Sequence, residues 1–273
     1  MSQLTKKQER FVETVWNFYA ANKREHLPWR QTQDPYKVLV SELMLQQTQV
    51  DRVIPKYNAF IKRWPTARHL ASASLADVLK AWQGLGYNRR AKFLHQAAKA
   101  VVNDHNGVFP QTTQKLQTLP GVGPYTASAV AVFAYDHSEL LIETNVRQVF
   151  LHHFFKQKTD VADKEILQLI ERTLPVGSSR EWYAALMDYG SYLKKTYGNV
   201  TQRSAQYAKQ SRFQGSDRQI RGAILRFLSD ATITESEISK HLDFEEFRVK
   251  EQLGKLCREG LIARIRNTYS LPR

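Results

Sequence analysis

LPGVGPYTASAV, residues 119–130, places two glycines around Val122, then Pro124, then a run of small and apolar residues. Gly121 and Gly123 can take backbone angles closed to other residues and carry no side chain to obstruct a neighbour. Pro124 suits the first position of a helix. Such a turn aims backbone N–H groups outward at a helix N-terminus, which is a ready anion site. A phosphate of DNA would fit it. An ordinary tight turn between two packed helices is the other reading of the same residues.

Reading outward, TTQKLQ before the turn makes the stretch a helix, a glycine hairpin and a second helix. QERFVETVWNFYAAN (8–22) repeats apolar residues at spacings of three and four, the helical period. Residues 35–64 read as a helix, a break at Pro55 and another helix, and residues 74–87 as a helix running into a Gly-Leu-Gly turn. Residues 89–107 form a helix with a glycine stop, and residues 161–175 and 180–198 add two more. No strong strand is expected before residue 260. The fold class is therefore all-α, with one addition. After residue 216 come three helices, the second with Thr234 and Glu237 at capping-box spacing, and then a hairpin around Arg266-Asn267. That order is winged-helix organisation, related to helix-turn-helix readers. The third helix mixes Glu245, Glu246 and Glu251 with Arg248, Lys250 and Lys255, so it is not an obvious major-groove reader.

The chain has 273 residues, 42% of them hydrophobic, and a net charge of +14. So basic a protein points to a polyanion as partner. The excess is uneven, because Ser216 to Arg273 holds 11 Lys+Arg against 9 Asp+Glu. Most of the polyanion-binding charge therefore belongs to the N-terminal part. Between Lys194 and Arg221 there are seven basic residues and one acid, which reads as a linker or arm on a charged surface, or as a solvated linker. The single cysteine, Cys257, excludes an internal disulfide and any multi-cysteine cluster. No signal-peptide core and no apolar run of about 18 residues is present, so no membrane partner is expected.

Two carboxylates interrupt sequence that otherwise reads as buried: Glu42 in SELMLQQTQV and Glu143 in LIETNVRQVF. A carboxyl in an apolar pocket has a raised pKa and serves as an acid near neutral pH. A second, ionised carboxylate can stabilise a sugar cation, the recurring pairing of glycosidic cleavage. Spacing alone equally allows a helix-surface Glu42 and a helix-capping Glu143.

LPWR, DPYKVLVSELMLQQTQV, WQGLGYNRRAKFLHQAAKAV, LPGVGPYTASAV and NVRQV follow one another in the order and spacing of a known family. They resemble the helix-hairpin-helix base-excision DNA glycosylases, and within them the MutY-like adenine glycosylases, over about residues 8 to 195. The resemblance implies a two-lobed helix-hairpin-helix fold for residues 1–197; after it, composition and element order place a basic linker at 198–215 and the winged-helix segment at 216–273. It implies that Glu42 protonates the departing base, and that Leu119 to Gly123, with Gly121 and Val122 between them, grips a phosphate through backbone N–H groups. Gln47 and Tyr87 match residues that wedge into the base stack when the target nucleotide is flipped out. Trp29 and Tyr125 match pocket-lining aromatics, Asn145 matches an asparagine of the catalytic segment, and Arg30, Thr126 and Arg147 fall at substrate- or DNA-contacting positions.

The departures are equally specific. Glu143 stands where the family has an aspartate that stabilises the oxocarbenium-like sugar, and is one methylene longer. Thr144 replaces a glycine. Tyr125 stands where bifunctional relatives carry a nucleophilic lysine, which implies a monofunctional enzyme that leaves an abasic site. The four cysteines of the family's iron–sulfur cluster are absent, so no cofactor is expected. The usual 8-oxoguanine-reading domain is replaced by the winged-helix segment. Ala184 and Glu25 fall where some relatives place polar and basic contacts. The expected partner is duplex DNA with a mispaired or damaged base, bound by a cytoplasmic monomer, nucleoid-associated if the source is bacterial. The excised base is adenine in a mispair; hypoxanthine, uracil or thymine, or a non-catalytic DNA-binding role, remain the other readings.

Overall fold

The computed structural model describes residues 3–209 and 212–272; positions 210 and 211 of the expected linker lie outside them. In chain order the helices are α1 (Lys6–Asn22), α2 (Pro35–Leu45), α3 (Val50–Arg63), α4 (Ala67–Ser72), α5 (Leu75–Trp82), α6 (Arg89–Asp104), α7 (Thr113–Leu116), α8 (Pro124–Tyr135), α9 (Thr144–Phe154), α10 (Asp163–Thr173) and α11 (Ser179–Tyr197). They are followed by α12 (Asp217–Phe227), β1 (Ile233–Thr234), α13 (Glu235–His241), α14 (Glu246–Arg258), β2 (Ala263–Ile265) and β3 (Thr268–Ser270). The chain is mostly helical, as its periodicity predicts. It divides into two compact units, each discontinuous in sequence: residues 1–38, 111–113 and 123–209, and residues 39–110, 114–122 and 210–273.

In the first unit, α1 begins at a reciprocal cap in which Thr5 Oγ1 accepts from Gln8 N and Gln8 Oε1 accepts from Thr5 N. Its buried face, Phe11 and Val15, joins Val146, Val149 and Phe150 of α9 and Trp182, Ala185 and Leu186 of α11 in one core. Helix α11 carries a glycine in its interior. A Cβ at Gly190 would lie 2.3 Å from the Asn145 carbonyl oxygen, so only glycine lets the start of α9 rest on α11 at this depth. The segment after α11, expected to begin a basic linker at residue 198, is tied down over its first residues. The buried Gln148 amide donates to Gly198 O and accepts from Val200 N, Arg203 donates to Phe155 O and Lys156 O, and Val161 bridges Ser204. Polar composition predicts a loop here but not its buried amide partner.

In the second unit, Val53, Tyr57 and Phe60 of α3, Leu70 of α4, Val78 and Trp82 of α5, and Leu94, Ala98 and Val101 of α6 are buried. Pro55 does not break the chain as expected. It lies inside α3, and the interruption falls earlier, at 46–49, where Gln47 adopts φ +53°. Pro55 is the sixth residue of α3, so the helix runs through it at the cost of the one N–H that would otherwise bond Asp51 O. The buried side of this interruption is occupied by Arg90. Its guanidinium donates to the carbonyls of Leu43 (2.6 Å), Met44 (3.2 Å) and Gln46 (2.6 Å) at the end of α2, and to Leu85 (3.1 Å) and Gly86 (3.0 Å) before α6.

The C-terminal elements belong to this same unit. Ile220 and Ile224 of α12, Ile238 of α13, and Val249, Leu253 and Leu256 of α14 form their core. The strands make an antiparallel sheet in the order β1-β3-β2, with Ile233 opposite Tyr269 and Arg264 opposite Tyr269 on its other side. The hairpin turns at Arg266, as the sequence suggests, whereas β1 was not expected: two residues cannot display an alternation, and their pairing is with Tyr269, far along the chain. Lys92 Nζ donates to Glu259 O, Lys80 pairs with Asp230, and Gln83 Nε2 bonds Ser229 Oγ. These contacts pack the expected separate module against helices of residues 39–110.

Two stability predictions follow from these joints. Arg90→Met leaves a cluster of buried carbonyls without donors and should destabilise the protein by about 3 kcal/mol in urea denaturation, with Arg90→Lys recovering little because one ammonium cannot serve both carbonyl groups. Gly190→Ala should cost about 1–3 kcal/mol in the same measurement, because the start of α9 must move to admit a methyl group.

Candidate functional site

In the first unit, Glu143 occupies the N-cap of α9, the capping position that the sequence allows it. Its Oε1 accepts from the backbone N–H groups of Asn145 (2.8 Å) and Val146 (2.9 Å), and its Oε2 accepts from Asn145 Nδ2 (3.3 Å). Burial pushes its carboxyl above the ordinary glutamate value; the two N–H donors, the Arg147 charge and the Asn145 amide pull the other way without cancelling it. Asn145, expected in the catalytic segment, is thus in direct contact with Glu143. Arg147, expected to contact DNA, instead makes a two-pronged pair with Asp163, Nε to Oδ1 at 2.9 Å and Nη2 to Oδ2 at 2.8 Å. Its fork is engaged by that carboxylate.

Arg30 follows Trp29 in a tight turn, Pro28–Arg30, and donates to Ala184 O (3.2 Å) and Asp188 Oδ1 (3.0 Å). Asp188 also accepts from Arg24 Nε (2.8 Å) and Arg24 N (3.0 Å). Its side chain is 1% exposed, so two guanidiniums and a backbone N–H offset the desolvation of one buried carboxylate. Asp188 and Arg24 were missed in the sequence; an aspartate inside the apolar run AALMDYG is the signal that could have found them. Arg30 and Ala184 line a cavity of about 680 Å³ together with Tyr19, Glu25 and Glu181. The structure therefore brings Arg30, Ala184 and Glu25 together. Trp29 and Tyr125 are half-buried, and Tyr125 packs on the core of this unit. Thr126 is buried in the first turn of α8, with no side chain outward for DNA.

In the second unit, Glu42 sits on α2, half-buried between buried Ser41 and buried Leu43 and Met44. Gln47 and Tyr87 both adopt left-handed backbone, φ +53° and φ +47°. Each conformation costs a non-glycine residue about 1–2 kcal/mol. Arg90 holds both. Its carbonyl partners flank Gln47 on one side and precede Tyr87 on the other, and its guanidinium lies 5.4 Å from the Tyr87 ring. Gln47 and Tyr87 consequently line one cavity of about 500 Å³, with Phe93, Gly121 and Arg218. Burial lowers the Arg90 pKa to about 10, still leaving it charged at neutral pH.

The glycine turn splits into residues that build it and residues that face outward. Leu119 and Val122 are buried, Leu119 N donates to Leu116 O, and Val122 N donates to Leu119 O. Gly121 is exposed with φ +74°, and a Cβ there would lie 2.3 Å from Phe93 Cβ, so glycine is required twice over. Gly123 differs from expectation: its φ of −81° is open to any residue, and nothing crowds its Cβ position. It forms the N-cap of α8 with Pro124 at the first position and no side-chain cap bond. The family's four-thiolate cluster does not fit this chain, whose one cysteine, Cys257, is on α14. Among the described residues no group of three or more His, Cys, Asp or Glu could hold a metal ion, and no helix is long and apolar enough to cross a membrane.

The chain is similar to known proteins along most of its length. It is 39% identical over 258 residues to an adenine DNA glycosylase of Mycolicibacterium smegmatis, covering 88% of each chain. It is 51% identical over 136 residues to an adenine DNA glycosylase of Mycobacterium tuberculosis, a match spanning 49% of this chain and 45% of that protein. Among solved structures, a thermostable thymine-DNA glycosylase superposes with a TM-score of 0.61 at 28% identity, covering 68% of this chain and 87% of that one. An endonuclease III–DNA complex superposes with a TM-score of 0.59 at 19% identity over 71% and 89%, a likeness of fold. The model of the HhH-GPD superfamily of base excision DNA repair proteins matches residues 40–243. With that span matched, the chain belongs to the HhH-GPD superfamily of base excision DNA repair proteins.

Proposed function

We propose that this protein is a monofunctional adenine DNA glycosylase that hydrolyses the N-glycosidic bond of an adenine flipped out of a mispair. The observation that carries the reading is the Glu143 carboxylate, half-buried, pushed toward neutrality and oriented by three N–H donors of α9. A group held so is suited to a positive charge that develops only at the transition state. The 39% identity to an adenine DNA glycosylase over 88% of the chain supports adenine as the base.

In this mechanism Glu42 donates the proton that turns adenine into a leaving group, and the sugar left behind acquires oxocarbenium character. Glu143 stabilises that cation and directs the attacking water. Asn145 holds Glu143 in one rotamer. Tyr125 supplies no amine, so no Schiff base forms and the DNA strand stays intact. Gln47 and Tyr87 fill the gap in the base stack, and the exposed N–H groups at Gly121 and Gly123 hold a phosphate. Trp29 and Arg30 contribute to the base pocket. The order of α12, β1, α13, α14, β2 and β3 supports a winged-helix module, and the protein acts as a monomer on duplex DNA.

A pyrimidine substrate is the second reading, favoured by the 28% identity to a thymine-DNA glycosylase structure. A single-turnover panel separates the two, with adenine opposite 8-oxoguanine, guanine and cytosine, and uracil and thymine mispairs, each analysed with and without alkali. Adenine release that needs alkali for strand scission is expected. Thymine or uracil release without adenine release would overturn the adenine reading, and strand scission without alkali would overturn the monofunctional one.

Glu42→Gln should retain duplex binding and lose at least about 100-fold in single-turnover rate, the usual contribution of a positioned acid. Unchanged turnover would remove Glu42 from the mechanism. Glu143→Gln should also be inactive, yet more stable than the parent at neutral pH. The raised pKa means that the folded state favours the neutral carboxyl, so Glu143 stabilises most below the ordinary value of 4.5 and loses that contribution as pH rises through its folded value. The gain in Tm should shrink as the pH is lowered toward 4.5. The acid limb of the parent's pH–rate profile should lie above that same value.

A further inference from the structure

Tyr87, the proposed wedge, does not stand alone. Arg218, in the first turn of α12, donates from Nη1 to the Tyr87 hydroxyl at 2.9 Å, and its guanidinium lies 5.6 Å from the Tyr87 ring centroid. Arg90 lies 5.4 Å from the same ring. One aromatic side chain is thus contacted by two guanidiniums, one from the helical body of the unit and one from the C-terminal segment.

Arg218 and Tyr87 also share two cavities. The first, of about 500 Å³, contains Gln47 as well. The second, of about 390 Å³, adds Arg52 and Arg226 and includes no carboxylate in its lining, while Phe213 at its edge is 60% exposed. Arginines and exposed aromatics around an open groove are the chemistry of an unstacked nucleic-acid strand. The docking of the C-terminal segment also rests on other contacts, Lys92 to Glu259 O and Lys80 to Asp230. Arg218 is therefore one of several contacts that dock the segment, and it is one that reaches Tyr87.

We propose that Arg218 is a positioning residue for base extrusion: through its hydrogen bond and ring contact it holds Tyr87 in its left-handed, outward conformation, and makes the C-terminal segment part of the wedge apparatus. This rests on the wedge role of Tyr87 proposed above. Loss of Arg218 should leave duplex affinity nearly intact, since one of many cations is removed, and should slow extrusion and the release that depends on it.

The test uses the full chain and a duplex in which 2-aminopurine neighbours the target adenine, so that extrusion is read as fluorescence and release as alkali-labile product. Arg218→Ala is expected to lower the extrusion rate about tenfold, the effect of losing a hydrogen bond to a charged donor, with Kd changed less than about threefold. Arg218→Lys should restore part of the rate, because an ammonium can still donate to the hydroxyl. Tyr87→Phe combined with Arg218→Ala should be no slower than the slower single variant, the signature of two residues acting as one. Lys80→Ala weakens docking without touching Tyr87 and should extrude at the parent rate. An unchanged rate in Arg218→Ala, additive effects in the double variant, or an equal loss in Lys80→Ala would each overturn the proposal. Failure of the adenine reading looks different: the parent protein would then extrude the base without releasing it.

Discussion

One buried guanidinium organises the side of the second unit that carries Gln47 and Tyr87. Arg90 is 7% exposed and gathers carbonyl oxygens from the end of α2 and from the turn before α6. These are the orphan acceptors that a helix end and a tight turn leave behind. An apolar residue could not satisfy them, and lysine would present a single ammonium rather than a planar fork. By binding the oxygens on both sides, Arg90 allows Gln47 and Tyr87 to hold left-handed conformations that neither residue favours on its own. Both residues proposed to enter the base stack thus carry left-handed backbone held from the inside by one side chain.

The first unit solves a related problem with a carboxylate. Glu143 satisfies the first N–H groups of α9, which any helix requires, and is buried enough that its ionised form is disfavoured. A cap of this kind normally stabilises a helix; here desolvation opposes that gain. The added methylene relative to aspartate does not prevent the capping geometry, because the Asn145 and Val146 N–H groups reach Oε1 at 2.8 and 2.9 Å. Gly190 completes the arrangement by letting α11 pass directly beneath the Asn145 backbone. A position that looks like a weak point inside a helix therefore sets where the catalytic segment begins.

The stretch after α11 shows how a polar sequence can be ordered by side-chain hydrogen bonds. Gln148, fully buried, takes both a carbonyl and an N–H from the chain after α11, and Arg203 closes the return with two further carbonyls. A side-chain amide and a guanidinium fix this stretch because each satisfies two backbone groups at a point where the chain turns. The C-terminal segment is tied down in the same manner, by lysines donating to main-chain or carboxylate oxygen.

Local signals in the sequence determined the helical elements and the glycine hairpin, because a 3.6-residue period, a capping box and a left-handed glycine act within a few residues of chain. They also singled out Glu42, Glu143, Gln47 and Tyr87 for particular roles, through the family resemblance and the oddity of a carboxylate in apolar sequence. They left Glu143 open between a cap and the catalytic carboxylate proposed above, since its capping bonds and its burial depend on how α9 packs. They left Arg90, Asp188 and Gln148 unnoticed. Each is a polar residue whose partners are backbone atoms or side chains brought near only by folding, such as Arg24 with Asp188 across 164 residues. They placed Pro55 as a helix break, because composition does not register a proline tolerated inside a helix, and they carried no sign of the contacts that dock residues 216–273. Local conformation is encoded in neighbouring residues, whereas buried polar satisfaction and the company of Tyr87 depend on contacts that exist only once the chain has closed on itself.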